Sequence, residues 1–161
     1  MRNSLLSAAL CSVLFVAIGC MEAGESAETV LSVSELNTHP ALYNAKTVVL
    51  SAYVRIAPEG HSLYESKEKN DEFVEAFNHH MKPHFDFKKY DSYCLTIANP
   101  DFFYAHADVL NGKTVVVRGK FLATYLGPNE YEHGACPIST GIVIDVDELE
   151  RRYRGMFLSK H

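Results

Sequence analysis

Tryptophan is missing from this chain of 161 residues, and its 15 Lys and Arg are outnumbered by 20 Asp and Glu. Each shortage excludes something. A chain short of positive charge is a poor binder of nucleic acid or anionic lipid, because phosphate affinity depends on neutralisation by Lys and Arg. Catalytic signatures are missing too. There is no GxSxG, no Walker loop, no Gly-rich dinucleotide turn and no HExxH, so nothing marks a nucleophile elbow, a phosphate cradle or a zinc protease helix. The expectation is a protein that is not an enzyme and needs no cofactor. Apolar runs long enough to span a bilayer are also missing. The longest, "LLSAALCSVLFVAIGC" at 5–20, is short and weakly flanked.

That run has another use. Arg2 is the only charge in the first 20 residues. One positive charge, an apolar stretch and then small residues make a secretory signal, expected over 1–19. "AIGC" resembles the lipobox of bacterial lipoproteins, in which a small residue precedes an acylated Cys. The resemblance implies lipid attachment at Cys20 and cleavage before it. Ala17 stands where that motif has Leu or Val, so a plain cut near Gly19 with a soluble product stays open. Met21, in place of Asp, resembles the outer-membrane sorting pattern of Gram-negative lipoproteins. The implied location is the bacterial cell envelope, lipid-anchored on the periplasmic face of the outer membrane. Residues 20–29 are small and polar without periodicity, and read as the lipidated Cys and a flexible tether. About 130 residues follow, enough for one domain with a core, expected over 30–154 with a tail over 155–161.

Within the domain the chain nearly repeats itself. "YNAKTVVLSAYV" at 43 is echoed by "LNGKTVVVRGKF" at 110. Val48, Leu50, Ala52, Val54 and Ile56 fall on one face and Val49, Ser51, Tyr53 and Arg55 on the other; Val115, Val117, Gly119 and Phe121 share a face in the same way. Both segments are period-2 strands with the Val48 and Val115 faces inward. Shorter strands are expected at 63–66, 92–98 and 140–149, the last with Ile142, Ile144 and Val146 inward. Ser32 and Glu35 have capping-box spacing and open a short helix, which His39-Pro40 ends. Phe73, Val74, Phe77 and Met81 recur at helical spacing behind a charged face. Asn99 followed by Pro100 predicts a cap and a first helical turn. Asn111-Gly112 marks a turn, and 145–157 ends as a charged helix or tail.

Strand, strand, helical insertion, strand, helix, strand, strand resembles the OB-fold. The expected class is mainly β with helices: a five-stranded Greek-key barrel, a helix between the third and fourth strands and a helical insertion after the second. In that fold the first and fourth strands are neighbours, which gives the echo one cause: two long strands meet one geometric demand. Ala52 and Gly119 hold the equivalent small inward positions, where a barrel bends. "VSEL…HPALYNAKTVVLSAYV" with "LNGKTVVVRGKF" is similar to a group of small bacterial exported proteins, many of them lipoproteins, with paired [DN]-G-K-x-V-x-V-x-G blocks. Ala45 and Ala52 replace Gly of the first block. The similarity covers roughly 30–150 and implies fold and compartment, with no chemistry. The third and fifth strands of an OB barrel run parallel side by side. Cys94 near the start of one and Cys136 just before the other, an even pair in an oxidising compartment, are therefore expected to form a disulfide. Two free buried thiols are the alternative.

The candidate reactive residues are few. His79, His80, His84 and Asp86 could hold zinc or copper, but neighbouring histidines diverge on a helix and Pro83 breaks the turn, so no metal site is expected. Asp145, Asp147, Glu148 and Glu150 read as solvent-facing charge. OB-fold ligands lie across the second and third strands, where His61, Tyr64, Tyr93, Tyr125, Tyr131 and His133 form a candidate rim. Tyr faces could stack on sugars or peptides. That these tyrosines only finish the core stays open. The expected function is an envelope-tethered binding or interaction module. Its partners are the membrane through the anchor and an envelope protein, peptide or glycan, with no nucleic acid. The alternative is an envelope enzyme or a His-dependent metal-binding protein.

Overall fold

The computed structural model describes residues 28–58, 60–79, 86–127, 136 and 139–158. Cys20 and most of the tether, His80, His84, Tyr131 and His133 lie outside the described residues. The elements run β1 (Val30–Leu31), α1 (Val33–Thr38), α2 (Pro40–Tyr43), β2 (Thr47–Ala57), β3 (Gly60–Tyr64) and α3 (Lys67–His79). A 3-10 turn (Phe87–Tyr90), β4 (Cys94–Ile97), α4 (Asp101–Ala105) and α5 (Ala107–Leu110) follow. β5 (Thr114–Leu122), β6 (Gly141–Ile144), α6 (Val146–Arg152) and α7 (Arg154–Leu158) complete the chain.

Five strands close on themselves in the order β2-β3-β4-β6-β5, with β5 returning to β2 and β1 added beside β2. The barrel is mixed: β4 and β6 run parallel, and β1 runs parallel to β2. The alternation that marked the strands is the alternation that fills the barrel. Val48, Leu50, Ala52, Val54 and Ile56 of β2 join Leu63, Leu95, Ile97, Val115, Val117, Phe121, Ile142 and Ile144 in one buried cluster. α1 adds Val33 and Leu36 at one end. Phe103, Leu110 and Leu149 are added at the other, from α4, α5 and α6.

The two echoed segments are β2 and β5, paired antiparallel from Thr47↔Lys120 to Tyr53↔Thr114. Their turns explain the repetition. Asn44 Oδ1 accepts the Ala123 N–H at 3.1 Å, and Asn111 Oδ1 accepts the Ile56 N–H at 2.9 Å. Ala45 N–H donates to the Phe121 carbonyl, and Gly112 N–H donates to the Val54 carbonyl, each at 2.9 Å. The Lys46 carbonyl accepts from Phe121 and the Lys113 carbonyl from Val54, at 3.0 and 2.8 Å. Each Asn-x-Lys turn thus grips the far end of the opposite strand, and the two grips are related by an approximate two-fold. Both middle residues need left-handed backbone, with φ of 60° at Ala45 and 77° at Gly112. Gly119 is required for a different reason. A Cβ there would come within 2.5 Å of the Val143 carbonyl and 2.9 Å of Ile142 Cγ1, so a side chain would push β6 away from β5.

Several elements depart from expectation. β1 is an extra strand; two residues carry no periodicity. Ser32 caps α1 by accepting the Glu35 N–H at 3.1 Å, but Glu35 turns its carboxylate to the Tyr43 hydroxyl rather than back to the cap. Asn99 does not cap α4, whose N-cap is Pro100. Its amide instead brackets Ile144, donating to the carbonyl at 2.9 Å and accepting the N–H at 2.8 Å. It acts as one more rung between β4 and β6. Val146 is not a barrel residue. Asp145 accepts the Glu148 N–H at 3.1 Å and starts α6, ending the strand at Ile144. β6 is therefore too short to satisfy all of β5, and the hydroxyl of Tyr153, the C-cap of α6, accepts the orphaned Val116 N–H at 2.7 Å. Residues 155–158 are helical, and Phe157 packs on Phe102 at 5.7 Å between ring centres.

Candidate functional site

The barrel is filled with side chains and helices pack at both of its ends, so surfaces are the places to look. Strand alternation sets Tyr53, Tyr64 and Cys94 in one outward row across β2, β3 and β4, and Arg55, Ser62 and Thr96 in the next. The first row is aromatic, and it is covered. α3 lays Phe73 against Tyr64 at 6.1 Å and against Tyr90 at 5.4 Å, the second nearly perpendicular at 79°. Tyr90 meets Tyr93 at 5.2 Å and 87°. The two Tyr90 contacts are edge-to-face arrangements, which aromatic quadrupoles favour. Cys136 joins the same cluster and is bonded to Cys94, with Cα atoms 5.9 Å apart. Its N–H donates to Thr96 Oγ1 at 3.0 Å. Both cysteines are buried.

Tyr64 and Tyr93 therefore do not line an open rim. They are 5% and 9% exposed and belong to a second buried cluster with Tyr53, Phe73, Tyr90 and the disulfide. Burial pushes the Tyr64 hydroxyl up to about 12, against a smaller opposing pull from Arg55. Tyr93 keeps its hydroxyl at the edge of the cluster. It accepts from Lys69 Nζ at 2.9 Å and donates to the Glu72 carboxylate at 3.0 Å. Lys69 also lies over the Tyr93 ring, 4.2 Å from its centre, and Lys89 reaches Glu72 at 3.6 Å. Hydrogen bonds from Lys69 and Tyr93 hold the Glu72 carboxyl below its ordinary range, and the same contacts raise Lys69.

The remaining rim residues scatter. His61 points into the barrel end opposite α1, 2% exposed, with Nδ1 2.9 Å from the Tyr104 hydroxyl. Tyr104 itself is 40% exposed. Tyr125 is half-buried and lies over Gly141, where a Cβ would meet its ring at 2.8 Å. Of the expected rim, Tyr64 and Tyr93 share a cluster, while His61 and Tyr125 stand apart from it. Asp86, from the histidine-rich segment, caps the 3-10 turn by accepting the Lys88 N–H at 3.1 Å.

The C-terminal carboxylates divide into three roles. Asp145 caps α6. Glu148 is not solvent-facing; it is 8% exposed and accepts from Arg152 Nε at 2.7 Å, which raises the Arg152 guanidinium further. Asp147 and Glu150 do face solvent, in an open groove of about 430 Å³ shared with Arg151, Arg154, Phe157 and Leu158. Sequence reasoning placed Phe73 on the apolar stripe of a helix laid on the domain, as the structure has it, but missed the part played by Tyr90. The signal was present in the i, i+3 spacing of Tyr90 and Tyr93, but nothing local showed that the two segments meet. Comparison with protein-family models, curated proteins and solved structures finds no match.

Proposed function

We propose that the protein is a lipid-tethered interaction module of the bacterial cell envelope, non-catalytic, on an OB-fold-like Greek-key barrel. The pairing of β2 with β5 and of β4 with parallel β6 supports that fold reading, as do α4 and α5 between β4 and β5. One observation carries the functional reading: the aromatic cluster that α3 and the 3-10 turn pack on the outer face of β2 to β4 continues to the surface at Phe77, which stacks on Phe73 and is 40% exposed. An aromatic edge held over a rigid sheet suits recognition of peptides and proteins. The partner is an envelope protein or peptide. Cys20 holds the module at the membrane through two acyl chains, enough for stable attachment.

Fractionation tests the anchor. The exported wild type should sediment with membranes and carry acyl mass on Cys20, and Cys20→Ser should be released as soluble protein. Identical fractionation of the two, with no acyl mass on the parent, would discard the lipoprotein reading.

A further inference from the structure

Asparagine followed by glycine is a reactive pair. Glycine has no Cβ, so its amide nitrogen can approach the preceding side chain without hindrance. Asn111-Gly112 is the one Asn-Gly step in the chain. Both residues are exposed, so water and base reach them and burial does not shield them. Backbone geometry does. Asn111 is extended, with ψ of 132°, which turns the Gly112 nitrogen away from the Asn111 side chain. That nitrogen donates to the Val54 carbonyl at 2.9 Å, and Asn111 Oδ1 is held by the Ile56 N–H at 2.9 Å. Asn111 N–H donates to the Ala107 carbonyl at 2.9 Å and Lys113 N–H to the Leu110 carbonyl at 3.1 Å. The step is therefore fastened to α5 as well as to β2. Its twin, Asn44-Ala45, has ψ of 130° at the asparagine and the same two bonds to the opposite strand. There the Ala45 methyl crowds the attacking nitrogen. The two turns are alike in geometry and unlike in reactivity.

We propose that Asn111-Gly112 is a site of spontaneous isoaspartate formation that its grip on β2 keeps shut, so that modification records opening of this end of the β2–β5 ladder. When the bonds to Val54 and Ile56 release, ψ of Asn111 rotates freely and brings the Gly112 nitrogen to the Asn111 Cγ. The nitrogen gives its proton to hydroxide and bonds to Cγ. The Cγ–Nδ2 bond breaks, ammonia leaves, and a succinimide ring remains. Water then opens the ring at one of its two carbonyls. Breaking the bond between the nitrogen and Cγ leaves an aspartate in an ordinary backbone. Breaking the bond to the main-chain carbonyl carbon leaves isoaspartate, whose backbone runs through Cβ and Cγ. The sum consumes water and releases ammonia, with no redox partner. The aspartate keeps an oxygen for the Ile56 N–H. Isoaspartate does not keep it in place: its carboxylate sits on Cα, and the extra backbone atom displaces Gly112 from the Val54 carbonyl. A turn that has been modified in this way opposes its own closure.

Exported, disulfide-bonded protein is incubated at mildly alkaline pH in three forms: folded, unfolded in guanidinium chloride, and as a synthetic peptide of residues 107–117. Peptide mapping by mass spectrometry reads deamidation, and methylation by an isoaspartyl methyltransferase reads isoaspartate. Unfolded protein and peptide should be modified at Asn111 at similar rates. Folded protein should be slower by about tenfold or more, because the rate falls with the open fraction. In unfolded wild type Asn44 should lag far behind Asn111. Ala45→Gly should bring it level there and leave both asparagines protected in the folded state. The isolated isoaspartate form should unfold at a lower denaturant concentration than the parent. Folded protein modified as fast as the peptide would overturn the proposal, since the grip would then protect nothing. Equal rates at Asn44 and Asn111 in unfolded wild type, or an isoaspartate form as stable as the parent, would overturn it as well.

Discussion

The two Asn-x-Lys turns invite a paired perturbation. Ala45 and Gly112 make the same backbone contacts at opposite ends of the β2–β5 ladder, and both sit at positive φ. A left-handed backbone costs an L-residue roughly 1–2 kcal/mol, and Gly escapes that cost. Gly loses more entropy on folding, by about 0.4–1 kcal/mol relative to Ala. The difference favours Gly by about 0.5–1 kcal/mol in either turn. Ala45→Gly should therefore stabilise the protein by that amount, and Gly112→Ala should destabilise it by the same. Crowding does not enter at Gly112, since an added Cβ would meet only the Tyr53 hydroxyl, at 3.7 Å. The doubly exchanged protein should return close to wild type, because the turns are separated by the length of the paired strands and distant effects add. Urea denaturation decides the matter: midpoints should move in opposite directions while the m-value stays constant. A destabilising Ala45→Gly, or a double variant far from the sum of the singles, would show that the turns are not equivalent and that the two-fold grip is only apparent.

Two further outcomes follow from the covered aromatic cluster. The disulfide closes a loop with a sequence separation of 42, for which the chain-entropy model gives about 4 kcal/mol. Reduction should lower stability by up to that amount, and Cys94→Ala with Cys136→Ala somewhat more, because it also empties two buried positions; a loss under about 1 kcal/mol would refute the entropic account. Tyr64 titrates at about 12 in the folded protein against about 10 unfolded. The unfolded chain ionises first, so this contribution is whole below pH 10 and is lost as pH rises to 12, at most roughly 3 kcal/mol. Wild type should lose stability across that window faster than Tyr64→Phe, and parallel curves would contradict burial of the hydroxyl.

How much of this was legible in the sequence depends on the range of the signal. Strand alternation is local and periodic, so β2, β5 and their inward residues could be read directly, as could the Ser32 cap. The cysteine pair was legible at one remove, from compartment and strand order. β1 was not, because two residues have no period. Asn99 was misjudged because an asparagine before a proline has the composition of a helix cap, whereas its partner Ile144 lies in a strand 45 residues away. Glu148 was misjudged within an acidic run, although Arg152 four residues on was a sign of pairing. Tyr64 and Tyr93 show the limit best. Alternation assigns Tyr64 to the outer face of the sheet but would turn Tyr93 inward with Leu95, and it cannot say what lies on either face; Tyr93 escapes because β4 begins only at Cys94. The covering residues sit on α3 and in the 3-10 turn, and only the folded chain brings them back.

The echo itself carries more than two similar strands. Alternating Val and Thr would have sufficed for a pair of strands, and many sequences provide that. What recurs in addition is Asn44-Ala45-Lys46-Thr47 as Asn111-Gly112-Lys113-Thr114. This recurrence lies in the turns, where hydrogen bonds are set by side-chain type and by φ, so it constrains more than hydrophobic patterning does. A strand slipped by one residue would turn its apolar set outward. It would also pull Ile56 and Ala123 away from the asparagine oxygens that receive their N–H groups. Register along the longest ladder is therefore fixed twice, by the core and by the two grips. The barrel is thereby a fixed base on which α3 and the 3-10 turn pack their aromatic side chains against Tyr53 and Tyr64.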